Sequence, residues 1–474
     1  MPDYNPPTTS SHSPEGEEAP ISKKIVQQGH SAELSRSPHH PEPSRRIVGE
    51  IAISQKKFNL FQKEIKNISD LKKEIERALT ESATKISEII LGGAIALSAS
   101  DIHIEPEEKT AKIRVRIDGI LLDVLNYEKK IYETLLSRIK LLSGLKLNIA
   151  DRPQDGRFSV SINDLPIEIR TSTLPAEYGE TIVLRILNPK SLIEIEALGL
   201  RKDLVEIFEK EIKKPNGMIL VTGPTGSGKT TTLYAFLKKI NKPEIKIITI
   251  EDPIEYHIEG ISQTQVKPSK GYDFASGLQS IMRQDPDVIL VGEIRDSKTC
   301  QIALQAALTG HLVFSTLHTN DAAGTVARLT SLEGDLASIG PAVNLAIAQR
   351  LVRKVCEKCS KLILASSQNL DKFKRELKKI PKIIRASSLK EGLKIPQARG
   401  CKNCNFTGYR GRLGIFEVIL MDDEMEKFIL KNPSIAAFRE KATKKGMVSM
   451  YQDGLIKVLA GLTTIEEVER VTEE

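Results

Sequence analysis

The chain is 474 residues long and has no tryptophan, only 4% aromatic residues and five cysteines. With so few rings there is no series of stacking side chains interleaved with basic residues, the arrangement that grips single-stranded nucleic acid. Four cysteines fall in two Cys-x-x-Cys pairs and leave Cys300 over, which fits a reducing compartment and a metal site better than a disulfide framework. No run approaches the ~20 apolar residues of a spanning helix. The opening Met1-Pro2-Asp3-Tyr4 lacks a basic segment followed by an apolar stretch, so a cytoplasmic protein is expected. Hydrophobic residues at 40% and charged residues at 28% exclude collagen-like, wholly disordered and membrane-embedded classes. The net charge of +7 permits an acidic partner without demanding one, because 69 basic residues are spread among 62 acidic ones.

At roughly 100–200 residues per domain, the length suggests about three structured units. Residues 1–49 hold eight prolines, eight serines, four histidines and one aromatic residue, too little apolar surface to offset ordering, and are expected to be a disordered tail. In residues 50–81, Phe58, Phe61, Ile65, Ile68, Leu71, Ile75 and Leu79 recur at helical spacing among lysines. They predict one basic amphipathic helix that either packs on the next domain or docks on a partner or an anionic surface. Alternating strands such as Lys112–Ile117, Phe158–Ile162, Ile167–Thr171 and Thr181–Ile186 predict an α+β lobe over 82–190 with an antiparallel sheet. Across 191–354, short continuous apolar runs alternate with helical patterns, as in a doubly wound α/β core. A cysteine-bearing region, 355–414, and a helical C-terminus, 415–474, follow.

Gly223-Pro224-Thr225-Gly226-Ser227-Gly228-Lys229-Thr230 fits G-x-x-x-x-G-K-[ST], and it lies between an apolar strand and a helix opening at Thr231. Glycines let the backbone wrap a phosphate, and the helix directs its positive end there. The loop and Thr231 are therefore expected to bind a nucleoside triphosphate. Lys229 would neutralise the β- and γ-phosphates, and the Thr230 hydroxyl would coordinate Mg²⁺. Carboxylates are needed at the neighbouring strand ends. Glu251, Asp252 and Glu255 follow one run; Glu293 and Arg295 follow another. Glu255 is assigned to water and Glu293 to the metal. His318, just past a strand end, is a candidate contact to the γ-phosphate.

Cys356-x-x-Cys359 and Cys401-x-x-Cys404 each form a chelating turn, and four thiolates close a tetrahedral Zn²⁺ shell with no open position, so the site is expected to be structural. A helix around Asp371–Ile380 is expected between the pairs. Cys300 is expected to be a small buried apolar residue.

Together, Gly223–Thr230, Ile248–Tyr256, Asp285–Asp296 and Thr309–Asn320 resemble the Walker A, Asp-box, Walker B and His-box segments of the hexameric secretion ATPases that drive type IV pilus assembly and type II secretion. The likeness extends over residues 85–474 and takes in Ala99–Pro106, Pro153–Arg157, Asp453-Gly454 and Gly461–Thr464. It implies a RecA-like P-loop NTPase domain preceded by a smaller α+β domain, with a four-cysteine zinc insertion and a helical C-terminus. It further implies a cytoplasmic homo-hexamer, peripheral to the inner face of the membrane, that hydrolyses ATP and pulls an inner-membrane platform protein. Arg170 and Arg185 match the arginines that family members bring from the smaller lobe to the phosphates. Most assembly-type members carry a folded docking domain ahead of the position matching residue 85; here Phe58–Leu79 is expected to take over that contact. The loop before Pro153 is shorter than the family pattern, which puts Arg152 in doubt. Two other readings stay open: an ATPase of DNA uptake or conjugative DNA transfer, and a nucleotide-binding scaffold without turnover. Direct nucleic-acid contact is not expected.

Overall fold

The computed structural model describes residues 49–189, 193–381 and 392–473. Apart from Gly49, the segment expected to be a disordered tail lies outside them. The first lobe runs β1 (Glu50–Ile53), α1 (Gln55–Glu64), α2 (Ile68–Ala78), α3 (Ala83–Ala96), β2 (Asp101–Pro106), β3 (Thr110–Ile117), β4 (Ile120–Glu128), α4 (Lys129–Ser143), β5 (Gln154–Ile162), β6 (Leu165–Ala176) and β7 (Gly179–Leu187). Its sheet has the order β1-β5-β6-β7-β2-β3-β4 and is antiparallel except where β1 pairs in parallel with β5. Two hairpins turn on residue pairs that accept positive φ: Asp118-Gly119 at 51° and 85°, and Asn163-Asp164 at 53° and 61°.

The single amphipathic helix expected over residues 58–79 is two helices. Ile65 leaves helical geometry, and the Asn67 side chain accepts the Asp70 N–H, which caps α2 and makes restarting the helix favourable. The apolar face does not remain available for docking. Phe58, Phe61, Ile65, Leu71 and Ile75 are all buried in the first lobe's core, so any partner contact by this segment would use its exposed lysines.

The second lobe contains α5 (Lys202–Glu211), β8 (Gly217–Thr222), α6 (Lys229–Ile240), β9 (Ile247–Glu251), β10 (Ser262–Gln265), α7 (Phe274–Ile281), β11 (Val288–Val291), α8 (Ser297–Leu308), β12 (Leu312–Leu317), α9 (Gly324–Ser331), α10 (Leu336–Ala342) and β13 (Val343–Val355). The order β10-β9-β11-β12-β8-β13-β16 is parallel except for the last pair, where β16 (Tyr409–Leu420) runs antiparallel to β13. This strand carries the second lobe's sheet past residue 354, into the stretch read from sequence as the cysteine region. All six residues of β8 are buried. Met218 and Leu220 enter one core and Ile219 and Val221 the other, which is why the run is continuously apolar. Cys300 is fully buried among apolar neighbours, and burial pushes its thiol up to about 11.

Between β13 and β16 lie β14 (Lys361–Leu364), α11 (Ser367–Leu377) and β15 (Lys394–Gln397); α12 (Asp423–Ile429), α13 (Ile435–Lys444), α14 (Met450–Leu459) and α15 (Ile465–Thr472) close the chain. Charged groups fasten these last helices to the sheet. Asp453, fully buried, accepts hydrogen bonds from Arg201 Nη1 at 2.8 Å, the Phe416 N–H at 2.8 Å and Lys457 Nζ at 2.5 Å. Glu467 on α15 accepts from Arg353 and Arg470. Burial opposes its ionisation, yet the hydrogen bonds from Arg470 and Arg353 bring its pKa down to about 2.

Candidate nucleotide and metal sites

The loop Gly223–Thr230 joins β8 to α6, at the carboxyl end of the sheet, where open α/β folds bind ligands. Three of its glycines have positive φ, and Gly223 at 144° shows the constraint most plainly: an added Cβ would stand 2.5 Å from the Gln349 carbonyl oxygen. Ser227 is buried, and its Oγ has no hydrogen-bond partner among the described residues, so the loop retains an unused polar atom. The first-turn N–H groups of α6 have no intrahelical acceptors. Lys229 Nζ donates to the Gly223 and Pro224 carbonyls at 2.8 and 3.2 Å. Burial lowers its pKa, and Glu293 opposes that shift. These features fit a polyphosphate.

A cavity of about 430 Å³ opens between this loop, the ends of β9, β11 and β12, and the first lobe. Thr225, Gly226, Gly228, Lys229, Thr230 and Thr231 line it from the loop side; Glu255, Glu293, His318 and Arg185 line it elsewhere. Residues distant in sequence therefore share one cleft. Gly223, Pro224 and Ser227 support the loop behind it. Glu293 sits 2.5 Å from Arg295 and 3.5 Å from His318 Nε2. Thr230 is exposed at the helix start, and both it and Glu293 face the cleft with oxygen donors of the kind Mg²⁺ takes.

The first lobe reaches this cleft through two arginines on neighbouring strands. Arg170 donates to Glu255 Oε2 at 2.8 Å and to the Ile254 carbonyl, so a cation of one lobe holds the carboxylate assigned to water on the other. Arg185 lines the cleft itself and bonds Asp101 Oδ1 through Nε at 3.0 Å.

Three further residues stand out: Glu251, named with Glu255 in its strand-end cluster but given no role, and Gln349 and Asp101, which spacing does not single out. Glu251, beside Glu255, is buried and hydrogen-bonded by Tyr234, Thr249 and Gln263; burial pushes its carboxyl up despite those bonds, and the Glu255 charge adds to the rise. Gln349 on β13 lies close behind the loop at Gly223 and holds α6, accepting from Thr232 Oγ1 at 2.7 Å. Its position, more than a hundred residues after the loop, gives no local signal. Asp101 falls within Ala99–Pro106, a stretch notable in the sequence only for its resemblance.

The four cysteines of the paired motifs converge, with all Sγ atoms within 4.8 Å of one another. Sγ–Sγ distances are 4.0 Å for Cys356–Cys401 and 3.8 Å for both Cys359–Cys404 and Cys401–Cys404. Thiolates about 2.3 Å from a tetrahedral Zn²⁺ stand about 3.8 Å apart, so the donor set and its spacing fit that ion. Backbone N–H groups of Gly400 and Cys401 point at Cys359 and Cys404 sulfurs, at 3.4 and 3.2 Å. Such donors orient and stabilise metal thiolates. The same loop and the start of β16 touch the first lobe: Asn405 Oδ1 accepts the Ile68 N–H at 2.7 Å, and Asp118 Oδ2 accepts the Gly411 N–H at 2.8 Å.

The family model described as "Type II/IV secretion system protein" matches residues 76–470. The type II secretion system ATPase E of Vibrio cholerae is 44% identical over 434 residues, covering 91% of this chain and 83% of that protein. The type IV pilus assembly ATPase PilB of Thermus thermophilus is 44% identical over 82% of this chain and 43% of its own length. Among solved structures, the pilus retraction motor PilT with bound ADP aligns with a TM-score of 0.54 at 27% identity, covering 81% of this chain and 96% of that one. The ATPase DotB of Legionella pneumophila aligns at 0.60 and 21% identity over 82% of this chain and 95% of its own, a likeness of fold alone. With a relative this similar across nine-tenths of this chain and a family match that runs from α2 to α15, the chain belongs to the type II/IV secretion system protein family.

Proposed function

We propose that the protein is a cytoplasmic ATPase motor that binds peripherally to the inner face of the membrane as a homo-hexamer. It hydrolyses ATP to drive assembly of a type IV pilus or a type II secretion pseudopilus through an inner-membrane platform protein. The observation that carries this reading is the convergence of Lys229, Glu255, Glu293 and His318 on one cleft, closed from the other lobe by Arg170 and Arg185. Lys229 neutralises the β- and γ-phosphates while the loop and Thr231 hold the nucleotide. Thr230 and Glu293 would hold Mg²⁺, which when bound would neutralise charge on the phosphate oxygens. Glu255 orients the attacking water, His318 contacts the γ-phosphate, and the arginines meet the charge that grows as the bond to the leaving phosphate breaks. Exchange of Arg170 between Glu255 and phosphate couples hydrolysis to a shift of residues 82–190 against the core of residues 191–354. Cys356, Cys359, Cys401 and Cys404 would hold Zn²⁺, which would stiffen the two turns that carry them, and the helices within 415–474 brace the sheet.

The test is phosphate release by the purified chain, alone and with its platform protein. Turnover that Lys229→Ala abolishes is expected; a wild-type oligomer that turns over no ATP even with the platform overturns the motor. Stimulation by DNA would instead favour the DNA-transport reading.

A further inference from the structure

The sheet of the first lobe carries an ordered row of charge. On β5, Arg157 stands opposite Arg170 of β6, which stands opposite Arg185 of β7. Arg185 stands opposite Asp101 of β2, and Asp101 opposite Arg116 of β3. Directly opposed residues share a face of an antiparallel sheet, with Cβ atoms about 4.5–5.5 Å apart. Four guanidinium groups and one carboxylate therefore form a single line on one face, in which Arg185 lines the nucleotide cleft and Arg170 bonds Glu255 on its wall. Like charges side by side, as at Arg170 and Arg185, repel and destabilise a sheet, and an exposed arginine has many rotamers to choose from.

Asp101 answers both problems. It is 5% exposed, and Ser100 Oγ donates to its Oδ2 at 2.8 Å, fixing the carboxylate. Its Oδ1 then takes Arg185 Nε at 3.0 Å, while Arg116 Nε stands farther off at 3.5 Å. Arg185 itself is 55% exposed, and among the described residues it pairs only with Asp101. Held at Nε, its two Nη groups keep their donors for a ligand in the cleft that Arg185 lines. We infer that Asp101 is the positioning residue for Arg185, a buried carboxylate that holds the guanidinium by Nε and leaves its Nη face for the phosphates. This rests on the proposed role of Arg185. A displacement of about 1 Å in such a group costs on the order of 10²-fold in rate, so orientation by Asp101 has a measurable effect.

The experiment is steady-state ATP turnover of the full chain carrying Asp101→Asn, Arg185→Ala, both, or Arg116→Gln, with a melting curve for each. Asp101→Asn is expected to lower kcat by about 10- to 100-fold with little change in KM, and to have no further effect on kcat once Arg185 is alanine. Arg116→Gln is expected to keep kcat near wild type. A carboxylate that merely stitches β2 to its neighbours predicts otherwise: Arg116→Gln would impair turnover as much as Asp101→Asn, or the Asp101 and Arg185 effects would add. Either result overturns the inference; should Asp101→Asn fail to fold, Ser100→Ala, which removes the hydrogen bond that fixes the carboxylate, is read in its place, a lowered kcat being expected and a kcat equal to wild type overturning the inference. Unchanged kcat in Asp101→Asn beside an impaired Arg185→Ala overturns this inference alone, whereas wild-type turnover in Arg185→Ala overturns the role of Arg185 as well.

Discussion

Replacing Arg170 by alanine separates two roles that differ in size. In this structure Arg170 bridges the lobes through Glu255 at 2.8 Å, with the two side chains 20% and 29% exposed. Two unit charges about 4 Å apart attract by about 1 kcal/mol in water and about 4 kcal/mol at an effective dielectric of 20. Exposed pairs measured by double-mutant cycles return about 0.2–1 kcal/mol after the ordering of both side chains. For a pair buried to this degree, a coupling of about 1–2 kcal/mol is expected, equivalent to about a 5- to 30-fold effect. A cation that meets the transferring phosphoryl group is worth far more, about 10³ to 10⁵ in kcat. Arg170→Ala should therefore lower kcat at saturating ATP by at least about 10³-fold while moving folding stability by no more than about 2 kcal/mol. Phosphate release and chemical denaturation, measured on the same oligomer, give both numbers. A loss of turnover below about 30-fold would reduce Arg170 to a clasp between lobes and refute its catalytic role.

Three further outcomes follow from other parts of the fold. Chelation of the metal is expected to disorder the loop holding Cys356 to Cys404 and to lower the melting temperature; a metal-free preparation that melts like the untreated protein would argue against a structural site. Asp453→Ala leaves Lys457 and the Arg201 Nη1 contact without their buried carboxylate and should cost about 3–5 kcal/mol in denaturant unfolding, a shift under about 1 kcal/mol being inconsistent with this network. Glu467, depressed from 4.5 to about 2, contributes stability that is complete above pH 4.5 and is lost as the pH falls through 2. The full shift would correspond to about 3 kcal/mol, discounted to about 2 kcal/mol because Arg470 is partly solvated; stability of Glu467→Gln that falls in parallel with wild type between these pH values would contradict it.

Much of the cleft could be read from the sequence because its chemistry is local. A phosphate loop needs glycines at fixed offsets, and strands buried on both faces advertise themselves as short apolar runs, so β8, β9, β11 and β12 were legible together with the acids at their ends. The cysteine pairs were legible for the same reason, since a chelating turn fixes its own spacing. Other features depend on partners far along the chain. Four residues suffice for β1, because β5 supplies the ladder; nothing in Glu50–Ile53 states that pairing. The Asn67 cap looks like any polar residue until Asp70 donates to it. Likewise β16 looks like one more apolar stretch, and its place beside β13 follows from a register between strands some sixty residues apart. The row from Arg157 to Arg116 exists only across five strands, so no window along the chain contains it.

The contacts of Asn405 with Ile68 and of Gly411 with Asp118 have a mechanical consequence. They fasten the two lobes along a seam that shares no residue with the nucleotide cleft, one from the loop that carries Cys401 and Cys404 and the other from the start of β16. Relative movement of the lobes is then best accommodated as rocking about this tethered edge, with Arg170 and Glu255 parting at the free edge. A cluster of four sulfurs that lines no part of the cleft thus holds the loop from which one end of this seam is made.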